Sequence, residues 1–215
     1  MKPSVIEPTT REKVSRSNDN FASVFESGLT FEDYVASMAI NQKEILAHFD
    51  QIRFTGEQEK TIFEVISPYE ELLAVVITED WCPDSLWNLP ILIRISEIAS
   101  NLKVRIVRRI DFQEFAKSYP GDDGKSHIPT IVFFNLNHGE LDYWSERSNA
   151  QQKWVAEFFK HHPRPRMLLK NNLPEPEFKR WIRLRIENER EVFQRELWVE
   201  TLNELLALIR SYPKT

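Results

Sequence analysis

Trp81-Cys82-Pro83-Asp84-Ser85 holds the only cysteine in a chain of 215 residues. It follows an apolar run ending Val75-Val76-Ile77-Thr78, and Pro83 suits the first position of a helix. A thiol at a helix N-terminus meets unpaired N–H groups and the positive end of the helix dipole. Both favour the thiolate, which is the reactive form. Ser85 can offer its hydroxyl or N–H to the same sulfur. Glu79, Asp80 and Asp84 act the other way, because carboxylates near a thiol raise its pKa. A single thiol can attack a disulfide or a sulfenic acid but cannot close an internal disulfide. A redox cycle through Cys82 therefore needs an external thiol to release the mixed disulfide. The competing reading is a small buried cysteine that only packs.

Presenting the sulfur this way requires a strand before it and a helix after it. Leu72–Thr78 is a continuous apolar run, as expected of a parallel strand covered on both faces. Pro83–Ser100 reads as a long helix, with Pro90 predicting a kink. Val104–Arg109 is the next strand, parallel to the first through a right-handed crossover. A short helix over Asp111–Ser118 and a Gly/Asp loop over Tyr119–Lys125 follow. Ile131-Val132-Phe133-Phe134 forms another strand, Asn137-His138-Gly139-Glu140 a turn, and Leu141–Trp144 the antiparallel return. Asn149–Phe159 closes the unit as a helix with Trp154, Val155 and Phe158 turned inward.

Flanking segments complete the layout. Residues 1–28 are polar and without periodicity, and read as a loosely attached arm. Thr30 with Glu32 and Asp33 marks a helix start, and helices are expected to about Asp50 and over Gly56–Ile66. His161-His162-Pro163-Arg164-Pro165 begins a linker, after which Pro174 and Pro176 open a long helix to about Ile209. In that helix Arg183, Arg185, Glu187, Glu189, Arg190 and Glu191 read as a solvated face of i,i+4 pairs. The sharper alternative is a partner-binding helix anchored by Trp181 and Trp198.

In this order and spacing the motifs resemble the thioredoxin-like superfamily, over roughly residues 67–160. Trp81-Cys82-x-x-Ser85 resembles the nucleophile turn, and His127-Ile128-Pro129-Thr130 before a strand resembles the cis-proline loop that faces it. The resemblance implies an α/β, thioredoxin-like fold: a central mixed sheet flanked by helices. Here it would carry N-terminal helices (29–66) and a linker with a C-terminal helical extension (161–215). It also implies Cys82 and Ser85 as the chemical pair, with Trp81, His127, Ile128 and Pro129 holding the substrate. His127 could stabilise the thiolate, bind a substrate carboxylate, or merely hydrogen-bond its own loop.

The chain departs from the pattern at three points. Thioredoxins have Gly-Pro where Pro83-Asp84 stands and a second cysteine where Ser85 stands. They also have a buried aspartate six residues before the first cysteine, where this chain has Val76. Ordinary dithiol reductase activity is not expected. Thr78-Glu79-Asp80-Trp81-Cys82 and Gly124-Lys125-Ser126-His127-Ile128-Pro129 are more similar to single-cysteine, thioredoxin-like cytosolic proteins. Monothiol glutaredoxins share Cys-x-x-Ser and hold an iron–sulfur cluster with glutathione, but their Gly-Phe is absent here.

Composition bounds the rest. Net charge is −5, with Lys+Arg against Asp+Glu at 7 to 12 over residues 1–70, 10 to 13 over 71–160 and 11 to 8 over 161–215. The overall acidity and the glutamates within the basic tail disfavour nucleic acid as a partner. No apolar stretch approaches the ~18 residues of a membrane span, and the acidic N-terminal stretch is unlike a targeting peptide. A cytoplasmic location is expected, where thiols stay reduced. His161-His162 has no ligand-spaced partner, so no metal is expected, nor any cofactor beyond a low-molecular-weight thiol. The expected activity is thiol–disulfide exchange: Cys82 attacks a protein or low-molecular-weight disulfide, and an external thiol resolves the product. The alternative is a non-catalytic thioredoxin-fold module that binds a partner protein. The partner's identity and the oligomeric state are open.

Overall fold

The computed structural model describes residues 18–135 and 139–212. Four helices come first: α1 (Asn18–Ser27), α2 (Phe31–Ser37), α3 (Gln42–Gln51) and α4 (Gly56–Ile66). Thr30 caps α2 by accepting from the Asp33 N–H at 3.1 Å. Thr55 and Gln58 close a reciprocal capping box at α4. β1 (Leu72–Thr78) and α5 (Pro83–Ile98) follow, and α5 continues through Pro90. Next are β2 (Leu102–Arg108), α6 (Gln113–Lys117), β3 (Thr130–Asn135), β4 (Gly139–Ser145) and α7 (Asn149–His161).

The main sheet has the order β2-β1-β3-β4, with β1 parallel to β2 and antiparallel to β3. β1 is therefore central, and all seven of its residues are buried, as its unbroken apolar run requires. The first half of the expected 137–140 turn lies outside the described residues, and Gly139 and Glu140 begin β4. One face of the sheet carries α1 and α6. There Phe21 stacks on Phe134 at 4.6 Å and Tyr119 meets Tyr143 edge-on at 5.3 Å. The other face carries α5 and the C-terminal segment, where the Trp144 Nε1–H donates to Glu204 at 3.0 Å.

The expected arm over 1–28 needs correcting. Residues 1–17 lie outside the described residues, but 18–27 form α1, with Phe21 and Val24 buried against the sheet. The next turn continues onto the sheet edge, where Leu29 pairs with Ile106 through two backbone hydrogen bonds of 2.8 and 2.9 Å. Two aromatic residues, Phe21 and Phe25, were too few to stand out as a period in a polar stretch.

The C-terminal segment also differs from a plain linker and helix. A hairpin of two short strands, β5 (Leu169–Lys170) and β6 (Leu173–Pro174), turns through Asn171 and Asn172, both at positive φ. α8 (Pro176–Val192) then runs through a π-helical turn at Phe193–Leu197 into α9 (Trp198–Arg210). Phe193 is fully buried, stacked on Trp87 at 5.1 Å and facing the ring of His48 at 5.2 Å. Among the described residues no helix is long and apolar enough to cross a membrane.

If α1 belongs to the core, Phe21→Ala should cost about 3–5 kcal/mol, the usual range for a buried phenylalanine. Urea unfolding would measure it, and a loss under about 1 kcal/mol would return α1 to the status of an arm.

Candidate functional site

The end of β1 delivers Glu79-Asp80-Trp81 into a tight turn closed by the Cys82 N–H on the Glu79 carbonyl at 3.1 Å. Cys82 is the N-cap of α5 with Pro83 behind it, so the sulfur stands at the helix N-terminus. The Ile128–Pro129 peptide is cis, and the Cys82 thiol donates to the Ile128 carbonyl at 3.3 Å. Trp81, Cys82, Ser85, Ile128 and Pro129 therefore converge, with the sulfur between the helix start and the loop.

The sulfur's environment is not that of a nucleophile. Cys82 is only 4% exposed, and its pKa is pushed up to about 11. Burial is the main cause, the neighbouring Asp84 carboxylate the next. Ser85 and the Arg185 guanidinium work against the rise and lose. Ser85 is itself buried, and its Oγ completes no full hydrogen bond. The bond to the Ile128 carbonyl also favours the protonated thiol, since a thiolate there would face a lone pair.

Asp84, the second residue of α5, is buried and anchors a network of charges. Arg147 reaches its two oxygens through Nε at 3.0 Å and Nη2 at 2.8 Å, and Arg185 of α8 approaches the same carboxylate through Nη1 at 3.0 Å and through Nη2. Burial alone would raise the Asp84 pKa, but the two guanidiniums overcome it and hold the group down at about 2. Arg185 also donates to Glu189 at 3.2 Å, and Glu189 accepts from the Trp87 indole and from Gln151, both at 2.8 Å. Asn88 links the network to α9, donating to the Asp84 carbonyl at 2.9 Å and accepting from the Thr201 hydroxyl at 2.9 Å.

Sequence reasoning missed Arg147, Gln151, Arg185 and Glu189. Arg185 and Glu189 were assigned to a solvated face, yet both are buried. Their spacing continues the stripe Phe178, Trp181, Ile182, which was the available signal. Trp181 packs inside the molecule on Phe178 at 5.5 Å, and the Trp198 indole donates to its own helix, so neither is a free partner anchor.

The structure also places Trp81 and His127. Trp81 is buried, edge-on to Phe178 at 6.3 Å, with the Arg109 guanidinium 5.7 Å from its ring centre. His127 bonds Asp123 through Nε2 at 2.7 Å and Glu146 through Nδ1 at 3.3 Å. It thus takes the role of a histidine that secures its own loop. Gly121 makes room for the ring, because a Cβ there would lie 2.6 Å from the imidazole. Among the described residues no cluster of His, Cys, Asp and Glu could hold a metal.

Two measurements follow. Arg185→Met, which leaves Asp84 and Glu189 short of a buried counter-charge, should destabilise by about 3–5 kcal/mol. Arg183→Met, exposed on the same helix, should change stability by no more than about 0.5 kcal/mol. Equal losses in denaturant unfolding would mean that the network holds nothing together. The raised thiol pKa predicts a pH dependence too. The folded state keeps the proton where the unfolded chain has lost it, so the thiol's contribution is complete below ~8.5. It should then fall by up to about 1.4 kcal/mol per pH unit as pH rises towards 11. Cys82→Ala should remove that slope, and parallel curves for the two proteins would contradict a raised pKa.

Comparison with known proteins agrees with this architecture. The chain is similar to the protein of unknown function PA1234 from Pseudomonas aeruginosa, at 15% identity and a TM-score of 0.61, over 89% of this chain and 97% of that one. It is also similar to an HIV epitope-scaffold, at 14% identity and a TM-score of 0.59, over 90% of this chain and 99% of the scaffold. Both likenesses concern the fold. None of the curated proteins matches the sequence. A family model described as thioredoxin matches residues 28–160, which include the nucleophile turn and the cis-proline loop. The chain belongs to the thioredoxin family.

Proposed function

We propose that this protein is a thioredoxin-fold binding module in which Cys82 is a sealed, structural thiol. The observation that carries this reading is the state of the sulfur. It is buried, bonded to the Ile128 carbonyl, and its pKa is pushed up to about 11, beside the Asp84 carboxylate that Arg185 holds. Thiol–disulfide exchange needs a thiolate that a second sulfur can reach in line, and a thiol with these properties supplies neither the charge nor the access. The Val76 and Ser85 substitutions point the same way, since both the proton-handling carboxylate and the resolving thiol are missing.

One observation favours the exchange reading. Cys82 stands at the helix N-terminus opposite the cis Ile128–Pro129 bond, so uncovering it would restore the geometry for attack. The two readings therefore separate on access and ionisation. At pH 8 the folded protein should be alkylated by iodoacetamide about 100 times more slowly than the urea-unfolded chain, given a thiol pKa pushed up to about 11. Its rate should rise only towards pH 11, and thioredoxin reductase should sustain no turnover of insulin disulfides. Alkylation of the folded protein at the rate of a free thiol would reject the binding-module reading in favour of exchange.

A further inference from the structure

Next to Trp81 lies a cleft of about 280 Å³ that Cys82 does not line. Trp81, Ile110 and Ala116 are among its lining residues, and its cations are Arg109 and Lys117. Leu169 and Asn172 of the β5–β6 hairpin complete the wall. Those two residues lie beyond the family match at 28–160, so the C-terminal segment of this chain makes the cleft what it is. We propose that the cleft binds a carboxylate carried next to an apolar group. The terminal residue of a peptide and a free arylalkyl acid share that chemistry.

Three observations on different groups carry this. Arg109 lies over the Trp81 ring and donates only weakly to the Ser126 carbonyl, at 3.5 Å. Among the described residues no carboxylate lies within salt-bridge distance of it, although the Glu79 charge is felt there, whereas its neighbour Arg108 is paired with Asp80 at 3.1 Å. A guanidinium held on an aromatic face without a direct ion pair offers a two-point site for a carboxylate. Second, Trp81 lines the cleft and its Nε1–H is buried with no acceptor among the described residues. Third, the one acid lining the cleft is already occupied. Glu79 accepts from the Ile110 N–H at 2.7 Å, which turns one of its oxygens to the backbone. Lys117 is engaged by Glu114 at 2.5 Å and adds less. A cleft of this volume suits one apolar side chain and its carboxylate, below the usual range for drug-sized ligands.

This deepens the binding-module reading by naming the chemistry of the ligand, and the probe reports on the cleft independently of the thiol. The full chain would be titrated with N-acetylphenylalanine while the Trp81 indole N–H is followed by NMR, assigned through Trp81→Phe. The acid should shift that signal saturably in the millimolar range, and N-acetylphenylalaninamide should bind at least 10 times more weakly. Arg109→Gln should weaken the acid to the level of the amide, whereas Lys117→Gln should change it by less than threefold. A pentapeptide ending in phenylalanine that binds at least 10 times more tightly than the free acid would assign the site to chain termini. Equal binding would assign it to small acids. The acid–amide comparison uses the unmodified protein, so it stands even if Arg109→Gln folds poorly. Equal binding of acid and amide, or no saturable shift at Trp81, would overturn the proposal. An inert Cys82 with an empty cleft would sink this inference alone; a fast-reacting Cys82 would sink the binding-module reading whatever the cleft holds.

Discussion

A buried carboxylate organises this molecule. Asp84 is placed by the sequence at the start of α5, where water cannot reach it, and an ionised carboxylate there is unaffordable without close counter-charges. Arg147, between β4 and α7, and Arg185, on α8, supply them from 63 and 101 residues away in sequence. Glu189 adds a second buried carboxyl group against Arg185, and Glu146 adds a carboxyl group against Arg147. Satisfying one side chain thus fixes the return from β4 and the path of α8. Through Asn88 and Thr201 it also reaches α9.

The same interaction decides the character of the thiol. A helix N-terminus and the nearby Arg185 guanidinium should favour a thiolate. Here the Arg147 and Arg185 guanidiniums are committed to Asp84, whose own charge repels a second anion, and the sulfur is buried. Desolvation then outweighs the remaining favourable contributions from Ser85 and Arg185. The local motif alone suggests a reactive cysteine, but the long-range packing makes it a poor acid.

What could be read from the chain follows from which interactions are local. The strand Leu72–Thr78, the Thr30 cap, the helix Gly56–Ile66 and the order of Trp81-Cys82 and Ile128-Pro129 depend on neighbours a few residues apart, and each was legible. The fates of Trp81, Arg185 and Glu189 depend on a helix arriving from a hundred residues downstream. An Arg/Glu alternation looks solvated whether or not one of its faces is buried. Only the 3.6-residue phase shared with Phe178, Trp181 and Ile182 separates Arg185 and Glu189 from Arg183 and Glu187. α1 was missed for the opposite reason: it packs through so few apolar residues that its composition resembles a tail.

The π-helical turn at Phe193–Leu197 sets the phase of everything after it. Buried positions recur at helical spacing on both sides of it: Phe178, Trp181, Ile182, Arg185, Ile186 and Glu189 on α8, and Thr201, Leu202, Leu205, Leu206 and Ile209 on α9. The wider turn sets the phase between these two stripes, so that α8 faces Asp84 and α9 faces β4 along one continuous rod. The chain is therefore intolerant of length as well as of composition at this point. Removing one residue from the turn would rotate α9 by about 100° relative to α8, and either the charge cluster or the contacts of Glu204 and Ile209 would have to be given up.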